Sequence, residues 1–256
     1  MTNSTNITVV IHTYNSGDDI ADCIGSARLL TDSIIVIDMD SQDDTISLVK
    51  KMNVVCFSFP RSKYVEPARG FGINKAVSDW VFILDSDERM TKELSLEIKK
   101  AILTNNCSHY RVPRKNIFGK KKWLRHGGWW PDYQIRLIDK KSFIIWPKEI
   151  HSTPKITGNS KNLTQPLVHY FHGQFEEMVK KTLVFEDIES ELLFKAARPV
   201  TILTFFRKFT AELVRRLVKS AGFLDGQIGI IEGIYQAYSK TITYLFLYEK
   251  TKRRPL

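Results

Sequence analysis

The sequence predicts an α/β fold, a mostly parallel central sheet with helices on both faces, followed by a C-terminal helical extension. Three observations predict it. Short β-branched runs alternate with helical patterns through the first hundred residues, the signature of repeated βαβ units. Those runs are apolar almost without interruption, as strands covered on both faces are. From about Gln174 onward the apolar residues recur at helical spacing instead.

Residues 7–12 read as a buried strand, and Asp18 and Asp19 supply cap and first-turn charge for a helix reaching Leu30. Residues 33–38 form the second strand, Asp43 to Thr45 open the second helix, and 53–57 form the third strand. A loop holding Pro60 and Pro67 precedes a helix over 68–77 and a fourth strand over 80–84, and a helix over 92–103 closes this half. Between 109 and 145 the alternation is looser and rich in Trp, Gly and basic residues, as mixed strands and binding loops are. The helical remainder carries turn signals at Arg198-Pro199 and across 222–233.

The chain has 256 residues, enough to bury a large core, and its 43% hydrophobic content excludes large-scale disorder. No basic segment followed by an apolar one opens the chain, so no signal peptide is expected. No run approaches the roughly 18 uncharged apolar residues of a spanning helix. Cys23, Cys56 and Cys107 are odd in number, far apart and set among apolar neighbours, which points to reduced thiols in a cytoplasmic protein. The sequons at Asn3, Asn6 and Asn162 then carry no glycan. Thirty-eight Lys and Arg against 28 Asp and Glu leave a net charge of +10, for which an anionic partner is one explanation.

In an open parallel sheet, ligands bind beyond the carboxyl ends of the strands. There the sequence places Thr13, Tyr14, Asn15, Ser16 and Gly17, then Asp38, Asp40, Ser41 and Asp43, then Asp85, Ser86, Asp87 and Glu88. Such a carboxylate cluster either repels itself or holds a divalent cation. Asp85 and Asp87 project to one side of a strand end and suit a hard cation bridging to a diphosphate. An acidic helix start is the other reading of the same pair.

Residues 9–15 (VVIHTYN), 37–45 (IDMDSQDDT), 68–76 (ARGFGINKA) and 82–87 (FILDSD), in this order and spacing, resemble a family 2 glycosyltransferase of the GT-A fold. Further on, 127–137 (GGWWPDYQIRL), 169–172 (HYFH) and 222–226 (GFLDG) look like the branch that includes the lipopolysaccharide inner-core β-glucosyltransferases. The resemblance implies a GT-A domain over 1–172, with a nucleotide-binding half at 7–104 and an acceptor half at 105–172, and a helical extension over 173–256. It implies inverting transfer of a hexose from a nucleotide sugar, a UDP-hexose, to a saccharide acceptor such as the lipopolysaccharide core or another cell-surface glycan, with Mg²⁺ or Mn²⁺ as cofactor.

The same resemblance assigns roles. Thr13, Tyr14 and Asn15 line the base pocket, and Asp38 accepts from a uracil-type imide. Arg69 lies near the base or diphosphate, Asp85 and Ser86 belong to the nucleotide site, Asp85 meets ribose or metal, and Asp87 ligates the metal. The family usually has Asp and then Gly after Asp38, where Met39 and Asp40 stand here, and an Asn where Gly70 follows Arg69. Asp132 is the candidate general base, at the place of a family acidic pair whose first member is Pro131 here. Gly127 and Gly128 permit close chain approach, and Trp129 and Trp130 suit stacking on sugars, with a Pro-Asp turn anchored by buried Trp as the other reading. His151, His169 and His172 are candidates for an imidazole on the metal or diphosphate, His151 being the assigned metal ligand. His12, His109 and His126 are weaker ones, and Glu149 is a lesser base candidate.

Residues 111–125 hold seven basic side chains and no acidic one, beside the acceptor loop, a pattern that fits an anionic acceptor or a solvated face. Phe206, Phe209, Leu213 and Leu217 recur at helical spacing among Arg207, Lys208, Arg215, Arg216 and Lys219, which fits either peripheral attachment to an anionic membrane surface or core packing. The tail from Lys250 to Arg254 adds positive charge. Two competing functions are a non-enzymatic nucleic-acid binder and a sugar nucleotidyltransferase. The first lacks a helix-turn-helix, zinc-finger or RRM signature, so no nucleic-acid partner is expected. The second lacks its Gly-rich loop after strand one.

Overall fold

The computed structural model describes residues 6–104, 106–171 and 175–253. The chain forms two compact units, one of residues 1–115 with 132–169, the other of 116–131 with 170–256. The second unit thus takes in 116–131 besides the helices, a segment the sequence reading places in the α/β domain.

The first unit opens with β1 (Ile7–Thr13), α1 (Ile20–Ala27), β2 (Ile34–Asp38), α2 (Thr45–Lys51), β3 (Val55–Ser58), α3 (Glu66–Lys75), β4 (Trp80–Asp85), β5 (Glu88–Arg89) and α4 (Lys92–Thr104). The chain continues through β6 (His109–Phe118), β7 (Lys122–Trp123), β8 (Asp132–Asp139), β9 (Phe143–Ile145), β10 (Lys155–Ile156), β11 (Ser160–Asn162) and β12 (Leu167–Phe171). The main sheet runs β3-β2-β1-β4-β8-β6-β12-β5. Its first four strands are parallel, and β8 lies antiparallel on β4 with Phe82 opposite Leu137.

All seven residues of β1 are buried. Their alternation divides the core: Ile7, Val9 and Ile11 pack with Ile20, Ile24, Leu94 and Ile98, whereas Val10 packs with Ile37, Ala68 and Ile73 on the other face. This two-sided burial explains why the strands read as continuous apolar runs.

Element ends differ from the sequence reading for local reasons. Asp19 stands at the N-cap of α1 but makes no cap hydrogen bond, its carboxylate accepting from Arg89 at 2.9 Å, and the helix ends at Ala27, short of Leu30. Asn53 takes a φ of +55°, which delays β3 to Val55. Pro67 falls in the first turn of α3, where no N–H is needed, so the helix starts at Glu66.

The second unit is helical, with α5 (Phe175–Lys195), α6 (Ile202–Val214) and α7 (Gly226–Arg253). Glu186 on α5 accepts from Ser239 and Thr243 on α7, and Thr182 meets Tyr235 at 2.6 Å. The glycines read as turn signals over 222–233 include Gly226, the first residue of α7, and Gly229 and Gly233 in its interior. A Cβ on Gly229 would fall 2.1 Å from the Gly222 carbonyl oxygen, and one on Gly233 would fall 2.5 Å from Leu217. Close approach explains these two, and Lys250 to Arg253 of the basic tail complete that helix.

In the first unit, α3 lies so close to the sheet that a Cβ on Gly72 would sit 2.7 Å from Val10 Cγ1 and 2.9 Å from His12 Nε2. Gly72→Ala should therefore destabilise the protein by about 1–3 kcal/mol, despite the better helix propensity of Ala. Urea unfolding of the two proteins side by side measures it.

Candidate active site

The strand order reverses at β1, since β2 follows it on one side and β4 on the other. Ligand crevices of open α/β sheets form at such a point. Thr13 pairs in register with Asp38, and His12 with Asp85, so the predicted strand-end residues converge. Two loops are tied together there. Asn15 N–H donates to Ser41 Oγ at 2.8 Å, Gln42 N–H donates to Asn15 Oδ1 at 2.8 Å, and Gly17 N–H donates to Asp43 at 2.9 Å. Ser16 and Ser86 hydroxyls meet at 2.8 Å.

Asp38 is buried, and its Oδ2 accepts the Ser41 N–H at 3.0 Å. Its Oδ1 is also buried and has no hydrogen-bond partner among the described residues, as does Thr13 Oγ1. Orphaned buried acceptors are costly and mark functional positions. Asp40 takes a φ of +66°, a conformation a glycine adopts without penalty, which accounts for the family glycine at this place. Tyr14 carries the Arg61 guanidinium 4.2 Å from its ring centroid.

The adjoining cleft, of about 390 Å³, is lined by Arg69, Asp85, Arg114, Gln134, Arg136 and His151, among others. Its charged groups form one chain of pairs. Arg69 grips both oxygens of Asp85 at 2.8 and 2.9 Å, and Arg136 bridges Asp85 at 2.7 Å and Glu88 at 2.5 Å. Arg114 lies 3.7 Å from Glu88 and donates to Asp132 Oδ2, 2.6 Å from NH2, while Gln134 donates to Asp132 Oδ1 at 2.8 Å. Burial works to raise Asp85, but Arg136 and Arg69 outweigh it and hold its carboxyl well below the usual range. Burial likewise opposes the charge on Arg136, and Asp85 and Glu88 reverse that effect, raising its pKa.

Asp132, Arg69, Asp85 and His151 are thus placed around one cleft or its charge network. Asp85, Asp87 and His151 are not brought together as one ligand set. Asp85 is neutralised by two guanidinium groups, Asp87 faces His169 at 3.5 Å, and His151 has its backbone N–H on Glu66. Among the described residues no three His, Cys, Asp or Glu are grouped to hold a metal ion. The donors present fit a Mg²⁺-like cation held by a single carboxylate, Asp87, together with ligand phosphates. Of the other candidates, His12 and His109 are buried, His126 pairs with Asp225 at 3.0 Å, Glu149 is exposed, and His172 lies outside the described residues. Trp129 and Trp130 belong to the second unit, where they pack on Phe171 and Trp123.

The sequence reading places Glu88 among the strand-end acids but gives no site role to Arg114, Gln134 or Arg136. Arg114 hid within a basic run that reads as surface. Gln134 and Arg136 alternate with Ile135 and Leu137, and polar residues two apart in an otherwise apolar strand were the available signal.

The family model for glycosyl transferase family 2 matches residues 8–165, more than half of the chain. The chain belongs to glycosyltransferase family 2. An uncharacterized glycosyltransferase of Rickettsia conorii is 24% identical, covering 96% of this chain and 90% of the relative, and one of Rickettsia typhi is 24% identical over 91% and 84%. Among solved structures, the mannosyltransferase PcManGT of Pyrobaculum calidifontis, in complex with GDP-Man and Mn²⁺, superposes with a TM-score of 0.54 at 11% identity, covering all of this chain and 89% of that one. TarS of S. aureus, in complex with UDP-GlcNAc, gives 0.51 at 15% identity, covering 97% and 91%. The fold of this glycosyltransferase is accordingly GT-A-like.

Two predictions follow from the buried charges. Replacing Arg136 by Met leaves Asp85 and Glu88 under-compensated, so Arg136→Met should cost about 3–5 kcal/mol in denaturant unfolding. Burial first, and the Arg69 guanidinium second, lower His12 to about 3. An unfolded chain protonates this His near pH 6.5, so stability is complete above that pH and falls as pH drops toward 3. Between pH 6.5 and 5 the enzyme should lose about 1–2 kcal/mol more than His12→Asn does, as pH-resolved urea melts would show.

Proposed function

We propose that this family 2 glycosyltransferase moves a hexose from a UDP-sugar to a saccharide acceptor with inversion, and that the acceptor is lipopolysaccharide inner core or another lipid-linked cell-surface glycan. The observation that carries the reading is the cleft beside the switch point, where the guanidinium network joins the nucleotide-side Asp85 to Asp132. The unpartnered Asp38 Oδ1 supports a uracil base, since an imide N–H supplies the donor it lacks. The motifs of 127–137, 169–172 and 222–226 support the acceptor class. Of the two fold relatives, one is in complex with UDP-GlcNAc and the other with GDP-Man and Mn²⁺.

In the proposed reaction the acceptor hydroxyl oxygen attacks the anomeric carbon as the bond to the diphosphate oxygen breaks, and the bonding pair leaves with the diphosphate. Asp132 takes the hydroxyl proton. Arg114 and Gln134 hold its two oxygens and so fix its orientation before the acceptor arrives. Inversion needs no covalent intermediate. A divalent cation held through Asp87 would supply Lewis-acid stabilisation of the leaving diphosphate, worth several kcal/mol in such sites. No helix of the described residues is long and apolar enough to cross a membrane. A lipid-linked acceptor would be met at the cytoplasmic face by peripheral attachment.

Thermal-shift titrations with UDP, GDP, CDP and their sugars, with and without Mn²⁺, test the donor. A UDP ligand should stabilise the protein in a Mn²⁺-dependent way, and Asp87→Ala should abolish the metal dependence; stabilisation by no nucleotide would sink the reading. Asp132→Asn should bind the same donor yet transfer roughly 10²- to 10⁴-fold more slowly.

A further inference from the structure

The helical unit carries most of the excess charge, with 18 Lys and Arg against 10 Asp and Glu, compared with 20 against 18 in the first unit. Within residues 202–224 five basic residues face a single acidic one, Glu212. That carboxylate is spent on Arg215 and Arg216.

Of the stripe read from sequence, Phe206 is exposed, whereas Phe209, Leu213 and Leu217 are half-buried. Leu217 meets α7 at Gly233, and neighbouring Phe205 meets Tyr248. An exposed stripe runs through Phe206 instead. Leu203 is 78% accessible, Phe206 69% and Val218 66%, with Val214 less so. Their separations of three, eight and four residues, through α6 and the π turn Arg215–Lys219 that follows, are each close to whole helical turns and set them on one side of the helix. Arg207, Arg215 and Lys219 are exposed among them. Large apolar side chains left in water are stabilised when covered.

We propose that this face of α6 and the π turn after it docks on an anionic phospholipid surface, its apolar residues entering the acyl boundary while Arg207 and Lys219 meet lipid phosphates. Charge decides against a second copy of the chain as the occupant, because a two-fold pairing of this face brings its cations onto their own counterparts.

Co-sedimentation with vesicles of phosphatidylcholine plus phosphatidylglycerol, against phosphatidylcholine alone, tests the proposal with no sugar transfer involved, so its failure and that of the transferase reading are separable. The protein should bind the anionic vesicles, more weakly at high salt. The double substitution Leu203→Glu with Phe206→Glu should reduce binding at least tenfold, and Arg207→Gln or Lys219→Gln about fivefold each. Both positions being exposed, the double variant should keep its circular-dichroism melt and its nucleotide binding. No binding to anionic vesicles, binding unchanged in the double variant, or a wild-type dimer in light scattering that the double variant converts to monomer would each overturn it.

Discussion

Arg136 holds the first unit's active end together. Its guanidinium, almost wholly buried, bridges the carboxylates of Asp85 at the end of β4 and Glu88 at the start of β5, and it reaches them from β8. A lone buried charge is prohibitive, so each member is retained only because the others are present. Arg69 extends the network to α3 and Arg114 to β6. Five elements from distant parts of the chain are thus fixed to one another by charge, where the hydrophobic packing beneath them specifies only approximate distances.

This arrangement settles how the acidic strand ends avoid repelling one another. A carboxylate cluster needs counter-charge, and a bound cation is one source; guanidinium groups are another. Asp85 uses the second, paired with Arg69 and Arg136, while Asp87 faces His169 from β12 and is the more exposed of the two. The consequence for chemistry is a division of labour. The guanidinium network is held by its own salt bridges, whereas a cation at Asp87 would arrive with the diphosphate.

The parallel half of the fold was legible in sequence because its strands are buried on both faces and its helices are punctuated by Asp, Pro and Gly. A strand boundary shifted where a backbone angle intervened, at Asn53. The strand-end residues Thr13, Asn15, Asp38 and Ser86 were legible for the same topological reason. The pairing partners were not. Arg114, Gln134 and Arg136 come from antiparallel strands whose register sequence alone does not specify, and a basic residue gives no sign of whether it faces water or a carboxylate three strands away. Nor does the sequence show that Asp85, read as a metal ligand, has two guanidinium partners.

The same ambiguity governed the surface charge, and there the outcome is reversed. In the first unit basic and acidic residues nearly balance, and several of the basic ones are consumed inside the cleft. In the helical unit the excess is large, and Glu212, the one acidic residue of 202–224, is locked locally by Arg215 and Arg216. Cations that lack internal partners are cheap only in water or against an external anion, and apolar side chains among them are cheap only away from water. A phospholipid headgroup boundary satisfies both demands at once, which neither bulk solvent nor a like-charged protein face does.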